Sequence, residues 1–269
     1  MLNINNIYCG NCLDWFQFIE DSCVDLTLTS PPYDNLRDYT GYDFPFEEIA
    51  KELYRITKEG GVVVWVVGDA TIKGSETGTS FKQALYFKDI GFNIHDTMIY
   101  YKNSFSNPSS NRYHQVFEYM FVFVKGKLKT FNPIKDRKNI WGPPWGKNTH
   151  RQKDGSLKER PRIQTIEEYG MRYNVWTIPM GKGNSTKDEI AFEHPAIAPE
   201  KLANDHILSW SNPGDLVLDP MCGSGTTCKM AKLNDRNFIG IDTSEPYCKI
   251  SCKRVGLDAY MILSDEEET

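Results

Sequence analysis

The sequence predicts an α/β fold, a mainly parallel sheet with helices on both faces, interrupted by one long insertion. Two observations carry the fold class: short apolar runs alternate along the chain with longer stretches of helical spacing, and helical stretches close on glycine-containing punctuation. A third marks the insertion. From Lys125 to Lys187 there are 15 Lys and Arg against five Asp and Glu, without sustained helical periodicity, whereas the remainder carries 16 against 31.

Taken in order, the apolar runs 24–29 (VDLTLT), 62–67 (VVVWVV), 94–101 (IHDTMIYY), 117–124 (FEYMFVFV), 215–218 (DLVL) and 238–241 (FIGI) read as strands. Helical spacing occupies 46–61 (FEEIAKELYRITKEGG), 81–91 (FKQALYFKDIG), 199–211 (PEKLANDHILSWS) and 245–256 (EPYCKISCKRVG). This divides the chain into residues 1–124, an inserted region 125–190, a second half 191–262 and an acidic tail 263–269 expected to be disordered. No internal repeat is evident.

Composition bounds the class. A chain of 269 residues with 40% apolar and 13% aromatic residues can bury a sizeable core. No stretch approaches the roughly 18 apolar residues of a membrane span, and the N-terminus has no basic region followed by an apolar run. A cytoplasmic location without membrane contact is the expectation. Seven cysteines suit reduced thiols, and Cys9 and Cys12 lack a second pair at zinc-ligand spacing, so no metal is expected. The sign reversal in the inserted region, with Trp141, Trp145 and Trp176 among its cations, points to a polyanion, nucleic acid above all.

Two stretches carry chemistry. In TSPPY, residues 29–33, two consecutive prolines forgo two backbone donors and fix two φ angles just after a strand. A stiff turn then presents Ser30, Pro31, Pro32 and the ring of Tyr33. In LVLDPMCGSGTTCKMA, residues 216–231, a strand ends at Asp219, Gly223 and Gly225 let backbone approach a ligand, and Thr226 opens a helix. No lysine follows the second glycine as in a P-loop, and the full G-x-G-x-x-G of dinucleotide enzymes is missing. Asp242 ends the next strand 23 residues after Asp219, where an acid can accept hydrogen bonds from ribose hydroxyls. A helix N-cap is the competing explanation of that aspartate.

TSPPY, DPMCGSGTT (219–227) and HPAIAPEKLANDHI (194–207), in this order, resemble the S-adenosylmethionine-dependent DNA amino-methyltransferases, specifically the circularly permuted β group of restriction-modification enzymes. The likeness covers nearly the whole chain and implies a Rossmann-like methyltransferase fold. It places the catalytic motif first, a target recognition region at 125–190 and the cofactor loop near the C-terminus. That order separates the chain from protein-glutamine and RNA-guanine methyltransferases, whose cofactor loop precedes the catalytic turn.

The resemblance also implies roles. Asp219, Pro220, Gly223, Ser224, Gly225 and Thr226 would border the methionine part of S-adenosyl-L-methionine, with Cys222 lining the loop and Asp242 holding the ribose. Thr29 and Cys12 join the cofactor contacts, and Asn11 stands where the family often has an acid against the adenine. The stretch His194 to Lys201 would close over the cofactor. Ser30 and Pro31 would accept hydrogens of the target amine, and Tyr33 would stack on a base flipped out of double-stranded DNA. Arg151, Arg160 and Arg162, with Trp141 and Trp145, are the candidates for DNA contact.

Family members with SPPY usually modify the 4-amino group of cytosine, and those with DPPY the 6-amino group of adenine. Methylation at carbon 5 needs a cysteine nucleophile, usually in a Pro-Cys pair, and the chain has none. The alternatives are an adenine methyltransferase, an RNA methyltransferase and a catalytically silent DNA-binding subunit. A homodimer and a separately acting restriction endonuclease are the further partners the family suggests.

Overall fold

The computed structural model describes residues 2–32, 44–105, 108, 110–140, 149–159 and 167–263. Nine strands form one sheet: β1 (Asn6–Cys9), β2 (Val24–Thr29), β3 (Thr57–Val67), β4 (Phe92–Tyr101), β5 (Phe117–Lys125), β6 (Val175–Thr177), β7 (Leu216–Asp219), β8 (Asn237–Asp242) and β9 (Met261–Ile262). Their order across the sheet is β6-β4-β5-β3-β2-β7-β8-β1-β9. Only the two pairings made by β5 are antiparallel; the others are parallel.

Among the described residues six α-helices cover the sheet: α1 (Cys12–Phe16), α2 (Phe46–Ile56), α3 (Thr79–Asp89), α4 (Glu200–Trp210), α5 (Thr226–Leu233) and α6 (Glu245–Val255). Side chains alternate between the faces of a strand, so an apolar strand feeds two cores at once. On one face Val63, Trp65, Phe121 and Phe123 pack with Phe16, Leu53 and Phe87 of α1, α2 and α3. On the other, Leu26, Val64, Met120 and Val122 pack with Ile207, Ala231 and Cys252 of α4, α5 and α6.

Each predicted strand is present, within two residues at either end except β3. The helix expected over 46–61 stops at Ile56, and Thr57–Gly61 joins β3 instead. Tertiary contacts decide this. Lys125 Nζ donates to the carbonyls of Tyr54 and Thr57 at 2.7 and 2.9 Å, and Gly60 takes a φ of +81° where a side chain would strike Lys129. Strands β1, β6 and β9 have no counterpart among the expected runs: all three are short, and they join the sheet by pairing with β8, β4 and β1 respectively.

The chain forms two compact units, residues 1–132 with 174–269, and residues 133–173. The smaller unit is narrower than the 125–190 insertion expected from charge. Lys125 ends β5 and Lys129 N donates to Gly60 O, while residues 175–177 enter the sheet. Within the smaller unit, Thr149–Arg151 pairs antiparallel with Leu157–Glu159, and Arg137–Lys138 with Tyr169–Gly170. Arg172 forms a two-oxygen ion pair with Asp136, and Arg137 lies 4.8 Å over the Tyr173 ring. None of its described residues is fully buried, so hydrogen bonds and ion pairs rather than an apolar core hold it. Among the described residues no helix is long and apolar enough to cross a membrane, and all seven cysteines are free.

Candidate active site

Strands β2 and β7 lie side by side and parallel, but the helices that follow them pack on opposite faces of the sheet, α2 on one and α5 on the other. Neighbouring strands whose connections part in this way leave a crevice at their carboxyl ends. A cleft of about 1430 Å³ opens there, large beside the roughly 300–1,000 Å³ of a typical small-molecule site. Thr29, Ser30, Pro31 and Pro32 line it from the end of β2; Asp219, Pro220, Cys222, Gly223, Ser224 and Thr226 line it from the end of β7.

The two motifs are joined by hydrogen bonds. Thr29 Oγ1 donates to Asp219 Oδ1 at 2.8 Å, and the same oxygen accepts from Met221 N at 3.2 Å. Asp219 is buried, and desolvation outweighs the hydroxyl and amide donors around it, so its carboxyl is pushed up to about 6. Asp242 accepts from Gly223 N at 2.8 Å and Ser244 N at 2.9 Å, one bond to each oxygen. Burial raises this carboxyl too, against those two amides. Each oxygen keeps acceptor capacity toward the cleft.

The glycines are required by space and by conformation. Gly223 has a φ of +51°, and a Cβ there would lie 2.8 Å from His194 Nε2. Gly225 has a φ of +75° as the N-cap of α5, and a Cβ would lie within 2.9 Å of the Ser251 backbone. Ser251 Oγ donates to Gly223 O at 2.7 Å, fastening the loop to α6. His194 also lines the cleft, its Nδ1 accepting from Ala196 N at 3.0 Å.

A buried ion network that the sequence reading missed supports this loop from behind. The Arg254 guanidinium donates to Ser224 O at 2.7 Å, Thr226 Oγ1 at 2.9 Å, Glu200 Oε1 at 2.7 Å and Asp188 Oδ2 at 3.0 Å. Lys229 Nζ reaches the same two carboxylates at 2.7 Å. Burial pushes both carboxyls up, but the donors from Lys229 and its neighbours prevail and hold Asp188 and Glu200 below the usual range. In the sequence Arg254 sits in the last turn of a helix, where a cation normally faces water; only the packing of α4, α5 and α6 turns it inward.

Other expected residues fall in different places. Cys12 lines the cleft, whereas the Asn11 side chain accepts from Leu13 N at 3.1 Å as the cap of α1 and is not among the lining residues. The Cys222 thiol is raised by its hydrogen bond with Cys228 and by burial, the opposite of a thiolate nucleophile. Arg151 is exposed on the first strand of a hairpin in the smaller unit. Tyr33, Trp141, Trp145, Arg160 and Arg162 lie outside the described residues.

Comparison with known proteins agrees with this geometry. The DNA methylase family model, which covers N6 and N4 methyltransferases, matches residues 24–253. The chain is 60% identical over 252 residues to the orphan methyltransferase M.BamHII of Bacillus amyloliquefaciens, covering 93% of this chain and 94% of that one. It is 26% identical over 276 residues to the type II methyltransferase M.BglII of Bacillus subtilis, covering 99% and 71%. Among solved structures it shares its fold with the PvuII DNA methyltransferase (cytosine-N4-specific), at 20% identity and a TM-score of 0.69 over 92% of this chain and 85% of that one. A putative DNA modification methylase of Thermus thermophilus, complexed with S-adenosyl-L-methionine, superposes at 21% identity and a TM-score of 0.64 over 98% and 99%. With its Ser-Pro-Pro turn and glycine loop meeting at one crevice, and with relatives matching along nearly its whole length, the chain belongs to the S-adenosylmethionine-dependent DNA amino-methyltransferases of restriction-modification type.

Proposed function

We propose that the chain methylates the 4-amino group of cytosine in double-stranded DNA, on a base flipped into the cleft. The observation that carries this reading is the catalytic turn, which has serine rather than aspartate at its first position and is tied to the glycine loop through the Thr29–Asp219 hydrogen bond.

The residues fit the cofactor. Gly223 and Gly225 let the loop pack tightly against His194 and Ser251 and so hold its shape at the edge of the cleft, the start of α5 borders the cleft through Thr226 and Thr227, and Asp242 has acceptor capacity for ribose hydroxyls. S-adenosyl-L-methionine, when bound, supplies an electrophilic methyl group. Pro220, Cys222, Ser224 and Thr226 would line its methionine end beside Asp219, and Cys12 and Thr29, which also line the cleft, would join the contacts. Asn11 is kept as a contact through its backbone, because its side chain caps α1.

An exocyclic amine is a weak nucleophile because its lone pair is delocalised into the ring. Ser30 Oγ and Pro31 O, held on a stiff turn, accept the amine hydrogens and favour the charge that grows on nitrogen. Tyr33 would stack on the flipped base, a contact worth about 1–3 kcal/mol. The region 125–190, and within it the compact unit of residues 133–173, would recognise the target, with Arg151, Arg160, Arg162, Trp141 and Trp145 as its contacts. The 60% identical relative is described as an orphan methyltransferase, which favours activity without a dedicated endonuclease. A homodimer is proposed from the family pattern and is checked by light scattering.

Mass spectrometry of nucleosides from DNA of cells expressing the protein tests the reading. 4-Methylcytosine is expected; 6-methyladenine would move the assignment to adenine, and neither product in DNA would leave an RNA methyltransferase or a silent DNA-binding subunit.

A further inference from the structure

The wall of the cleft away from the glycine loop carries an ion pair that the packing of the sheet does not require. Leu26 and Leu28 of β2, Val64 and Val66 of β3, Met120 and Val122 of β5, and Met98 and Tyr100 of β4 share one core. Alternation along each strand therefore puts Ser30, Glu118 and Lys102 on that same face. Thr29 pairs with Trp65, Val66 with Met120, and Tyr100 with Glu118. The backbones of Ser30 and Glu118 are thus two strand spacings and one pleat repeat apart, roughly 12 Å, a gap that one base and two side chains fill. Ser30, Tyr100, Lys102 and Glu118 all line the cleft.

Lys102 Nζ donates to Glu118 Oε1, and both side chains are only 18% exposed. A pair so far withdrawn from water is a poor source of stability, since desolvation offsets its attraction. Beside it the Tyr100 hydroxyl is buried without a hydrogen-bond partner. Tyr100 and Glu118 are directly paired across β4 and β5, and burial, and after it the negative charge of Glu118, raise that phenol. An unpartnered hydroxyl and a half-sheltered ammonium are what a wall retains when it is built for a polar edge that arrives later.

We infer that Lys102, held by Glu118 and backed by Tyr100, reads the Watson–Crick edge of the flipped base and selects cytosine; the inference rests on the cytosine reading above. Cytosine presents two acceptors, N3 and O2, next to its 4-amino group. Adenine presents N1 and then a C2–H. An ammonium on this wall finds a partner at O2 of cytosine and none at the corresponding carbon of adenine. As the ammonium turns toward the base, the Tyr100 hydroxyl, on the residue paired with Glu118 across the strands, can donate to that carboxylate and gains the partner it lacks.

Three full-length variants, Lys102→Met, Glu118→Gln and Tyr100→Phe, test this with steady-state methylation of unmethylated genomic DNA, calorimetry with S-adenosyl-L-methionine and thermal melting. Lys102→Met is expected to keep the parent's cofactor affinity and lose about 30-fold in kcat/KM for DNA, within the range of a lost base-edge contact; Glu118→Gln should lose less. Tyr100→Phe should melt no lower than the parent yet lose activity, an outcome a purely structural tyrosine would not give. Parent-like kcat/KM in a Lys102→Met protein that binds cofactor would overturn the inference. If that variant does not fold, Tyr100→Phe decides in the same way. A parent that makes 6-methyladenine overturns the cytosine reading itself, whereas 4-methylcytosine with an unaffected Lys102→Met overturns only the assignment of this wall.

Discussion

Asp219 sits in the crevice at a cost to stability. Its carboxyl, pushed up to about 6 by burial, binds a proton more tightly in the folded chain than in the unfolded one. Its stabilising effect is therefore complete below about pH 4 and is lost as pH rises through about 6, which at neutral pH amounts to roughly 3 kcal/mol. Asp219→Asn keeps an acceptor for Thr29 and Met221 and removes the charge. Without cofactor, this variant should melt several degrees above the parent at pH 7.5 and level with it at pH 4, while binding S-adenosyl-L-methionine more weakly. Melting curves that match the parent at both pH values would show that the carboxylate is not under strain. Asp242 has a different balance, since two backbone amides already hold it. Asp242→Ala removes a charged acceptor and should weaken cofactor binding by about 1.5–3 kcal/mol in calorimetry; unchanged affinity would remove it from the ribose site.

Among the elements, α5 and its glycine loop depend on α6 and α4 for their position. Arg254 is almost wholly buried and joins Ser224, Thr226, Glu200 and Asp188, whereas Lys229, with a side chain 19% exposed, reaches the two acids only. Arg254→Met leaves a carbonyl and a hydroxyl without their donor and halves the cations facing two acids. It should cost about 3–5 kcal/mol in urea unfolding, and Lys229→Met clearly less. Equal losses would mean that the network is organised around Lys229 instead.

For the molecule as a whole, the basic segment divides into structural and exposed cations. Lys125 donates to two carbonyls at the end of α2 and lies 4.6 Å from the Tyr54 ring. Lys125→Met should therefore lower stability by about 1–3 kcal/mol and leave the salt dependence of DNA binding unchanged. Arg151 is exposed on a hairpin of the smaller unit. Arg151→Ala should leave stability unchanged and flatten the slope of log affinity against log salt by about 0.9, the share of one phosphate contact. A loss confined to one DNA sequence, with the slope intact, would make Arg151 a base reader.

The sequence by itself determined the α/β class, six of the nine sheet strands, and the two motifs at the ends of β2 and β7. Each of these is written locally, as period-2 or period-3.6 patterning or as a turn whose prolines and glycines restrict or free φ. Tertiary structure decided the rest. It ended α2 at Ile56, because Lys125 from a distant strand takes up its last carbonyls. It made strands of β1, β6 and β9, which are too short to carry a readable pattern of their own and exist through pairing with β8, β4 and β1. It turned Arg254 inward and set Lys102 against Glu118, contacts between residues far apart or on different strands. The physical reason is the same in each case: burial and hydrogen-bond satisfaction depend on which neighbours arrive through space, and a stretch of sequence records only the preferences of its own backbone and side chains.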